Sequence, residues 1–529
     1  MMFLKHKKTA VLLILTLLFC FVFSSCARNG EEDEASLPEF DELEPSEQKD
    51  YAADNLFSLS CNKNYSFNPF STTNASNILC TQLMYDTIFD VDETFTTTPQ
   101  LVTEFSSTDG KAWRFEVDNN IKFWDGTTLT AKDVEYSIQR AMRSPQFKSR
   151  LSIIMGVSAM DDSLLIINLY SSSMQFPAYL TIPVIKNGSV EETAPMGTGP
   201  YKPNDALTQL RAFSGHKNYN KLPLDTIYLK EITEIESLIA AFESSEIDLV
   251  TNDPTGSFNL GYGSANETRY YPTSNMHYLG FNSSSRFFSN ADVRKAITYA
   301  VDRESIVTNC LKGAGSVASL PISPASAYYN ERFSEIVSYS FKKSEEAFEK
   351  AGVRDYDDDS FREIMIAGEQ IDSEVDFIVC ADSSIKVSAA RSIAENMQAL
   401  GIRVSLRELP WDDYLSALTN GKFDMFYAET KLTPDFSLRS LLFYGGALNY
   451  GKFSDAVLEE NISAYLKATD ETRQTAADLM FKHITDTAPI IPICFEKQQV
   501  ITHRGVVSGL GPTQYNIFRG IENWEINLD

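Results

Sequence analysis

Residues Leu279–Val307 read LGFNSSSRFFSNADVRKAITYAVDRESIV and combine a strand, a polar turn and two helix starts. The alternation from Met276 to Asn282 predicts a strand that ends in the turn. Asn290 is placed to cap a helix, because apolar residues follow at the i, i+3, i+4, i+7, i+8 spacing of one buried stripe. Asp302 is placed to cap a second helix that begins at Arg303. This order of elements alone is common to many folds.

The order of residue types in this stretch is more specific than its periodicity. A strand ending in Phe-Asn, a short loop and then DVRKAITYAVDRESIV resembles a segment of the family 5 solute-binding proteins. These are the extracytoplasmic receptors that supply peptides, nickel and related solutes to ABC importers. The usual form in that family is close to FN…PF…VRQAI.YAIDRE.I. The matching residues here are Asn282, Phe288, Val293, Arg294, Ala296, Ile297, Ala300, Asp302, Arg303 and Ile306.

A second resemblance begins at Trp113, where the chain reads WRFEVDNNIKFWDGTTLTAKDVEYSIQRAM. Alternation predicts one strand at its start and another at residues 121–123, with Asp125-Gly126 as the turn. Thr130 and Asp133 predict a capping box at the start of a helix. The segment is similar to the family signature F.L…KFHDGTPLTAEDV.FS..R. Turn and cap chemistry explain these residues as scaffold.

Two further segments follow in the order of the family. Residues 196–201, MGTGPY, resemble P.GTGPY; no GK[ST] follows, so we expect a close chain crossover between domains instead of a phosphate site. Residues 411–425 resemble W..Y…L..G.FD, and residues 489–493, PIIPI, resemble P.IPL. The resemblance implies an α/β, two-lobed periplasmic-binding-protein-like fold of type II, in the large three-domain class with a hinged cleft.

The family layout implies a discontinuous first domain. A hinge is expected near residues 271–279 and 485–492. The implied domains are domain I at residues 51–87, 195–275 and 490–529, domain II at residues 88–194, and domain III at residues 276–489.

The N-terminus has the features of a secretory signal. Lysines near residue 5 precede an apolar run from Ala10 to Phe23, and small residues then lead to Cys26. Phe23-Ser24-Ser25-Cys26 resembles a bacterial lipobox, which implies a lipoprotein signal peptide at residues 1–25 and lipidation of Cys26. An ordinary signal peptide or an uncleaved anchor helix is the alternative. Residues 26–50 are acidic and interrupted by prolines, and they predict a flexible tether.

Composition excludes several classes of protein. The chain has 46 Lys and Arg against 72 Asp and Glu, a net charge of −26, which argues against a nucleic-acid surface and against adhesion to anionic lipids. We therefore expect membrane association only through the lipid anchor. Five cysteines remain after Cys20 and Cys26, at positions 61, 80, 310, 380 and 494. Their odd number and wide spacing predict free thiols instead of a disulfide framework or a metal site.

The resemblance implies a non-catalytic receptor. It would capture a solute, foremost an oligopeptide, in a closing cleft between lobes and deliver it to the permease subunits of an ABC transporter. We expect a monomer at the cell surface or in the periplasm, without cofactor. The same fold binding a non-peptide solute, or acting as a peptide-sensing receptor, is an alternative. A secreted lipoprotein hydrolase is a third, although GxSxG does not occur.

Specificity is where the resemblance weakens. Peptide-binding members carry W..D after G.FD, and their Asp pairs with the α-ammonium of the peptide. An ungapped count puts Thr430 at the Trp position and Thr433 at the Asp position, whereas alignment on the proline puts Thr430 at the Asp position. A buried ammonium without a carboxylate is costly. Either Glu429 or Asp435 supplies the charge, or the ligand has no free amine there; both carboxylates on a solvated loop is the third possibility.

The remaining candidates are chosen by location. At each aromatic position a core residue is more common than a ligand platform. The four mature-chain histidines are scattered and lack HExxH spacing, so we expect no metal site. These further pocket candidates are Trp411, Tyr427, Tyr444, Asn449 and His277.

Overall fold

The computed structural model describes residues 55–256 and 266–528, whose strands form six sheets. The predicted signal peptide at residues 1–25, the tether at residues 26–50 and the lipidated Cys26 lie outside the described residues. Within the described ranges, no helix is both long enough and apolar enough to cross a membrane.

Most strands are short, and two of them are long. The strands are β1 (Ser58–Cys61), β2 (Phe89–Val91), β3 (Thr97–Pro99), β4 (Val102–Ser106), β5 (Ala112–Val117), β6 (Ile154–Ala159), β7 (Leu164–Leu169), β8 (Tyr201–Pro203), β9 (Gln209–Ala212), β10 (Thr226–Glu231), β11 (Leu249–Asn252), β12 (Asn266–Phe281), β13 (Gly315–Val317), β14 (Val353–Arg354), β15 (Glu363–Ile366), β16 (Glu369–Asp372), β17 (Glu374–Cys380), β18 (Arg403–Leu409), β19 (Met425–Lys431), β20 (Ile490–His503), β21 (Val507–Ser508) and β22 (Glu525–Ile526).

The helices are concentrated in the second half of the chain. They are α1 (Ala75–Met84), α2 (Ala131–Ala141), α3 (Ile235–Glu243), α4 (Ala291–Ala300), α5 (Arg303–Ser305), α6 (Glu331–Ile336), α7 (Phe341–Lys350), α8 (Ser384–Ala399), α9 (Trp411–Thr419), α10 (Arg439–Leu442), α11 (Ala456–Lys467) and α12 (Asp470–Thr487). Short 3₁₀ helices at Arg150–Ile153 and Phe176–Leu180 matter for the site described below.

Two four-stranded sheets share one hydrophobic core. The first has the order β1-β10-β9-β8, and the second is an antiparallel sheet with the order β4-β5-β7-β6. Phe57 and Tyr201 of the first region and Phe115 of the second are fully or almost fully buried in that core. Burying these apolar side chains together provides the main stabilisation that joins the two sheets.

The largest sheet has seven strands in the order β11-β20-β12-β19-β17-β18, with β13 paired to β20. Successive residues of a strand point to opposite faces, so the sheet contributes to two cores. Leu279 and Tyr427 pack into one core, and their neighbours Tyr278 and Phe426 pack into the other. The sheet is therefore covered on both faces.

The long strands β12 and β20 connect the cores. Tyr271 of β12 and Val500 of β20 pack in the core of the two four-stranded sheets, whereas Leu279 and Ile491 pack in a core of the seven-stranded sheet. The register between β12 and β20 shifts between Pro272 and Met276 and again between His277 and Tyr278. These irregularities lie where the chain passes from one core to the next.

The local predictions around the opening stretch are confirmed. Asn290 caps α4 by accepting a hydrogen bond from the Asp292 N–H at 2.9 Å. Asp302 caps α5 by accepting from the Ser305 N–H at 3.0 Å. The second helix is α-helical for one turn only and continues as a π-helix at Ile306–Cys310, which the apolar spacing did not predict.

The predictions for residues 113–142 are confirmed in part. β5 and α2 form, and the Asp133 carboxylate accepts hydrogen bonds from the Thr130 N–H at 2.9 Å and from the Thr130 hydroxyl. The strand predicted at residues 121–123 is wrong, because only an isolated bridge joins Lys122 to Thr128. Gly126, at φ +84°, reverses the chain so soon after residue 123 that no ladder can extend.

The glycines of MGTGPY permit the close approach predicted for a crossover. The Gly199 N–H donates to the Met84 carbonyl oxygen at 3.0 Å, and a Cβ on Gly199 would lie 2.4 Å from the Met84 carbonyl carbon. The prediction of free thiols is also confirmed: the five cysteines of the described residues form no disulfide, and four of them are buried.

Candidate ligand-binding cleft

A cavity of about 480 Å³ lies where distant parts of the chain meet. Its walls come from residues 69–87, 146–183, 431–434 and 514–515, which the sequence assigns to all three predicted domains. The volume falls within the range of small-molecule sites. Among the residues that the structure describes, no aspartate or glutamate lines this cavity.

Arg150 is the first of two cations in the cavity. Its Nη1 donates to Thr181 Oγ1 at 2.7 Å and its Nη2 to the Thr181 carbonyl oxygen at 2.9 Å. The guanidinium carbon lies 5.2 Å from the ring centre of Phe147 and 5.8 Å from that of Tyr515. Its Nε is buried and has no hydrogen-bond partner among the described residues. Burial lowers the pKa of Arg150 from its usual value.

Lys431, the last residue of β19, is the second cation. Its side chain is exposed to the cavity, and within residues 55–256 and 266–528 its ammonium forms no ion pair with a carboxylate. The surrounding protein and, second, the charge of Arg150 lower the pKa of Lys431. The lowered pKa means that the surrounding protein and Arg150 disfavour the positive charge of Lys431.

Gln514 adds a third unused donor to the cavity wall. Its Oε1 accepts from the Ser274 N–H at 3.1 Å, which orients the amide. Its Nε2 is buried and has no acceptor among the described residues. Buried donors are normally paired, and carboxylates form strong charge-assisted bonds with guanidinium and ammonium groups. The three donors therefore suit an anionic group of a ligand.

Glu429 and its predicted neighbours lie around a different and smaller cavity of about 130 Å³. The Glu429 carboxylate forms an ion pair with Lys386 Nζ at 2.6 Å, and both side chains are about one-quarter exposed. Trp411, Tyr427 and Thr430 line the same cavity, so the structure brings four of the predicted residues together. Trp411 is half exposed at the start of α9.

His277 and Tyr427 belong to a buried polar network. His277 Nδ1 lies 2.8 Å from Tyr427 Oη, and His277 Nε2 lies 2.7 Å from Glu496 Oε1. Burial raises the pKa of Tyr427 well above its usual value. Burial alone would raise the pKa of Glu496, but hydrogen bonds from His277 and Asn275 hold it below its usual value. His277, Glu429 and Glu496 offer atoms within 4.8 Å of one another, which a metal ion could bind.

Asp435 lies beside a third cavity, of about 190 Å³. The side chain is 3% exposed, and its oxygens accept from Tyr179 Oη at 2.6 Å, Ser173 Oγ at 3.0 Å and Thr433 Oγ1 at 2.7 Å. Burial first, and the nearby Asp435 carboxylate second, raise the pKa of Tyr179 well above its usual value. Thr433 itself lines the 480 Å³ cavity beside Lys431.

Tyr444 and Asn449 occupy the loop between α10 and α11. Tyr444 is 81% exposed. The Asn449 side-chain amide donates to the carbonyl oxygens of Phe443 at 3.0 Å and Phe453 at 2.7 Å, so it closes this loop on itself. A role for either residue in ligand binding remains a prediction.

Sequence reasoning missed the three donors of the large cavity. Lys431 could have been identified from the sequence, because it is two residues from Thr433 in the segment that was compared with W..D. Arg150 follows Lys148 and Ser149 in a stretch with no distinguishing motif, and Gln514 lies more than 360 residues further along the chain. Only the fold places them in one cavity.

Residues 96–447 match the family described as bacterial extracellular solute-binding proteins, family 5, in its middle part. The chain belongs to this family. It is an extracytoplasmic solute-binding protein of the ABC import class, and the implied α/β, two-lobed periplasmic-binding-protein fold is confirmed.

Similar proteins of this family bind several kinds of solute. The chain is 23% identical over 451 residues to the oligopeptide-binding protein AppA of Bacillus subtilis, covering 79% of this chain and 80% of AppA. It is 25% identical over 426 residues to the nickel-binding periplasmic protein of Escherichia coli, covering 75% and 80%. The structure of HbpA2 from Haemophilus parasuis superimposes with a TM-score of 0.71 at 18% identity, covering 89% and 99%. The two curated relatives named here are binding proteins.

Proposed function

We propose that the 480 Å³ cavity is the solute site and that the solute is anchored by a carboxylate, foremost the terminal carboxylate of a short peptide. The observation that carries this proposal is the pair of cations Arg150 and Lys431 in a cavity that no described acidic residue lines. A bound carboxylate would compensate the positive charges of Arg150 and Lys431.

Capture would close the lobes about β12 and β20. The register shifts between Pro272 and Met276 support a hinge there, because irregular pairing interrupts the stiff ladder between two cores. In this scheme domains I, II and III follow the boundaries predicted from the sequence. Closure would bury the solute and create the shape that permease subunits recognise.

The cellular setting of the proposal comes from the sequence. A signal peptide at residues 1–25 and a lipid on Cys26 would hold a monomer at the outer face of the membrane, with residues 26–50 as tether. The receptor would act without catalysis and pass its solute to an importer. The charge on the cavity also favours a second candidate, a small non-peptide carboxylate, in the same site.

Glu429 and Asp435 remain predicted anchors for the ammonium of a peptide. Glu429 would have to exchange Lys386 for the ligand, and Asp435 would have to release hydroxyl donors of Ser173 and Tyr179. Carboxylate anchoring at Arg150 requires neither exchange. The two modes therefore differ in which end of the peptide is essential.

The test is a thermal-shift screen of the purified protein after unfolding and refolding to remove bound solute. The panel contains di- to pentapeptides, their N-acetylated and C-amidated forms, small dicarboxylates and Ni²⁺. A ligand at about 100 times its Kd stabilises the fold by about 2.7 kcal/mol, which is a measurable shift. We expect free and N-acetylated peptides to raise Tm and C-amidated peptides to have no effect.

Matched variants link the effect to the cavity. Arg150→Met and Lys431→Met should each abolish the peptide-induced shift, whereas Lys148→Met, an exposed lysine two residues from Arg150, should keep it. A shift lost on N-acetylation and kept on C-amidation would replace the carboxylate anchor by an amine anchor. A Tm shift with dicarboxylates alone would exclude peptides as the solute. Peptide-induced Tm shifts that Arg150→Met and Lys431→Met both retain would place the site elsewhere.

A further inference from the structure

An acidic loop at residues 355–362 lies outside the lining of the 480 Å³ cavity. Residues 355–362 connect β14 to β15, which pair antiparallel through Val353 and Ile364. Asp355, Asp357 and Asp359 of this loop and Glu363 at the start of β15 each offer a carboxylate oxygen, and these atoms all lie within 4.8 Å of one another. Carboxylates packed this closely repel one another unless a cation or a proton intervenes.

Glu363 is the buried member of this group. It has no exposed surface, and its Oε2 accepts from the Tyr356 N–H at 2.8 Å. Its Oε1 is buried and has no hydrogen-bond donor among the described residues. A buried carboxylate oxygen without a partner is strongly unfavourable. Its place within the acidic group indicates that the missing partner is a cation held by the other three carboxylates.

The side-chain cations nearby do not supply this partner. Arg403 pairs with Asp359 and with Asp372, the latter at 3.1 Å. Arg362 instead donates to Glu349 at 3.0 Å and to backbone carbonyl oxygens. Arg354 pairs with Glu349 at 2.8 Å, so among the described residues Asp359 is the only one of the four carboxylates with an ion-pair partner.

Residues 355–361 have the spacing of the first half of an EF-hand calcium loop, whereas position 12 is Ile366 and Glu363 stands at position 9. In EF-hands, oxygen ligands occupy positions 1, 3 and 5, a sharp turn falls at position 6, and a backbone carbonyl serves at position 7. With Asp355 as position 1, Asp357 and Asp359 take positions 3 and 5. Ser360 at position 6 has φ +75°, the left-handed conformation that the turn needs, and Phe361 supplies the carbonyl of position 7.

We propose that this loop binds one Ca²⁺ through Asp355, Asp357, Asp359 and Glu363. Hard oxygen ligands of this number and irregular arrangement suit Ca²⁺, which accepts six to eight oxygens flexibly, better than Mg²⁺, which demands a near-ideal octahedron. The ion gives Glu363 Oε1 its partner and relieves the repulsion within the loop. Extracytoplasmic calcium sites work at Kd values of about 10⁻⁴–10⁻³ M, which fits a receptor outside the cytoplasm.

The experiment is a calorimetric titration of the chelator-treated, purified protein with CaCl₂, with MgCl₂ as the second arm. We expect one Ca²⁺ per chain and binding of Mg²⁺ weaker by roughly tenfold or more. Glu363→Gln and Asp357→Asn should each weaken Ca²⁺ binding by roughly tenfold or more. Asp358→Asn is the matched control, because it removes one charge from the same loop outside the four carboxylates, and it should bind as the wild type does.

Thermal unfolding gives a second readout with opposite signs. With EDTA, Glu363→Gln should melt at or above the wild-type temperature, because it removes an uncompensated buried charge. With Ca²⁺, the wild type should melt higher, because only its site is occupied. No heat and no Ca²⁺-dependent rise in the wild-type Tm would overturn the proposal, as would equal loss of binding in Asp358→Asn. Equal affinity for Mg²⁺ would overturn the assignment to calcium.

Discussion

Asp435 is predicted to be a structural connection between the turn that follows β19 and the 3₁₀ helix Phe176–Leu180. Its carboxylate accepts from hydroxyls of Tyr179 and Ser173, more than 250 residues away in sequence, and from Thr433 and the Ser437 N–H at 3.2 Å. Asp435→Ala removes the acceptor of all four donors at a site that is 3% exposed. The loss should therefore appear as a loss of stability.

The size of the effect follows from these contacts. Hydrogen bonds to a charged group contribute about 1.5–3 kcal/mol each, but solvent entering the vacated space recovers part of this. We expect Asp435→Ala to lower the free energy of unfolding by about 3–5 kcal/mol, the range for removing one partner of a buried charged network. Asp435→Asn keeps one acceptor oxygen toward Tyr179 and can donate to Ser173 Oγ, so its loss should be about 1–2 kcal/mol.

The assay is urea unfolding followed by fluorescence, with the free energy obtained by linear extrapolation. Asp205→Ala, at an exposed carboxylate, is the matched control and should change stability by no more than about 0.5 kcal/mol. A loss for Asp435→Ala as small as that of the control would refute the reasoning. Peptide affinity then separates the two roles of Asp435. A structural connection weakens free and N-acetylated peptides alike, whereas an amine anchor weakens only the free ones.

Three further predictions test other parts of the structure. Lys431→Met should raise Tm of the solute-free protein at pH 7, since its lowered pKa means that the ammonium destabilises the fold, and the gain should vanish as pH rises toward its usual pKa of 10.5. Gly199→Ala should lower the urea midpoint by an amount equivalent to about 3 kcal/mol, because its Cβ would overlap the Met84 carbonyl group. The pKa of Glu496 is below its usual 4.5, so the ionised carboxylate stabilises the fold above about pH 4.5, and that stabilisation is lost on acidification. Glu496→Gln should therefore flatten the decline in Tm between about pH 5 and 3.

The elements that the sequence predicted correctly depend on neighbours within one turn. Asn290 caps α4 and Asp133 completes the start of α2 because their partners are two or three residues away, so a single window of sequence contains the whole interaction. The crossover at Gly199 is different, because its partner Met84 is distant in sequence and the prediction came from the resemblance of MGTGPY to a family segment. The strand predicted at residues 121–123 is wrong although its turn at Asp125-Gly126 was predicted, because alternation does not show that a turn so close leaves room for only one bridge.

The candidate site depends on contacts that no window contains. Lys431 and Arg150 are about 280 residues apart and Gln514 is further still, yet they share a cavity. The sequence identified Glu429 and Asp435 as carboxylates in the expected segment, but it could not show that Lys386 pairs with one of them. The sequence shows the type of each side chain, but it does not show which distant residue that side chain contacts.

The charge of the whole chain and the charge of the cleft have opposite signs, and this limits how the solute can be recognised. A net charge of −26 repels an anion at long range, although salt screens this beyond about 8 Å under physiological conditions. The cleft therefore gains little from electrostatic steering, and its attraction acts only after entry, through Arg150, Lys431 and Gln514 at contact distance. Binding by such contacts is selective because a ligand must both carry an anionic group and place it beside Arg150 and Lys431.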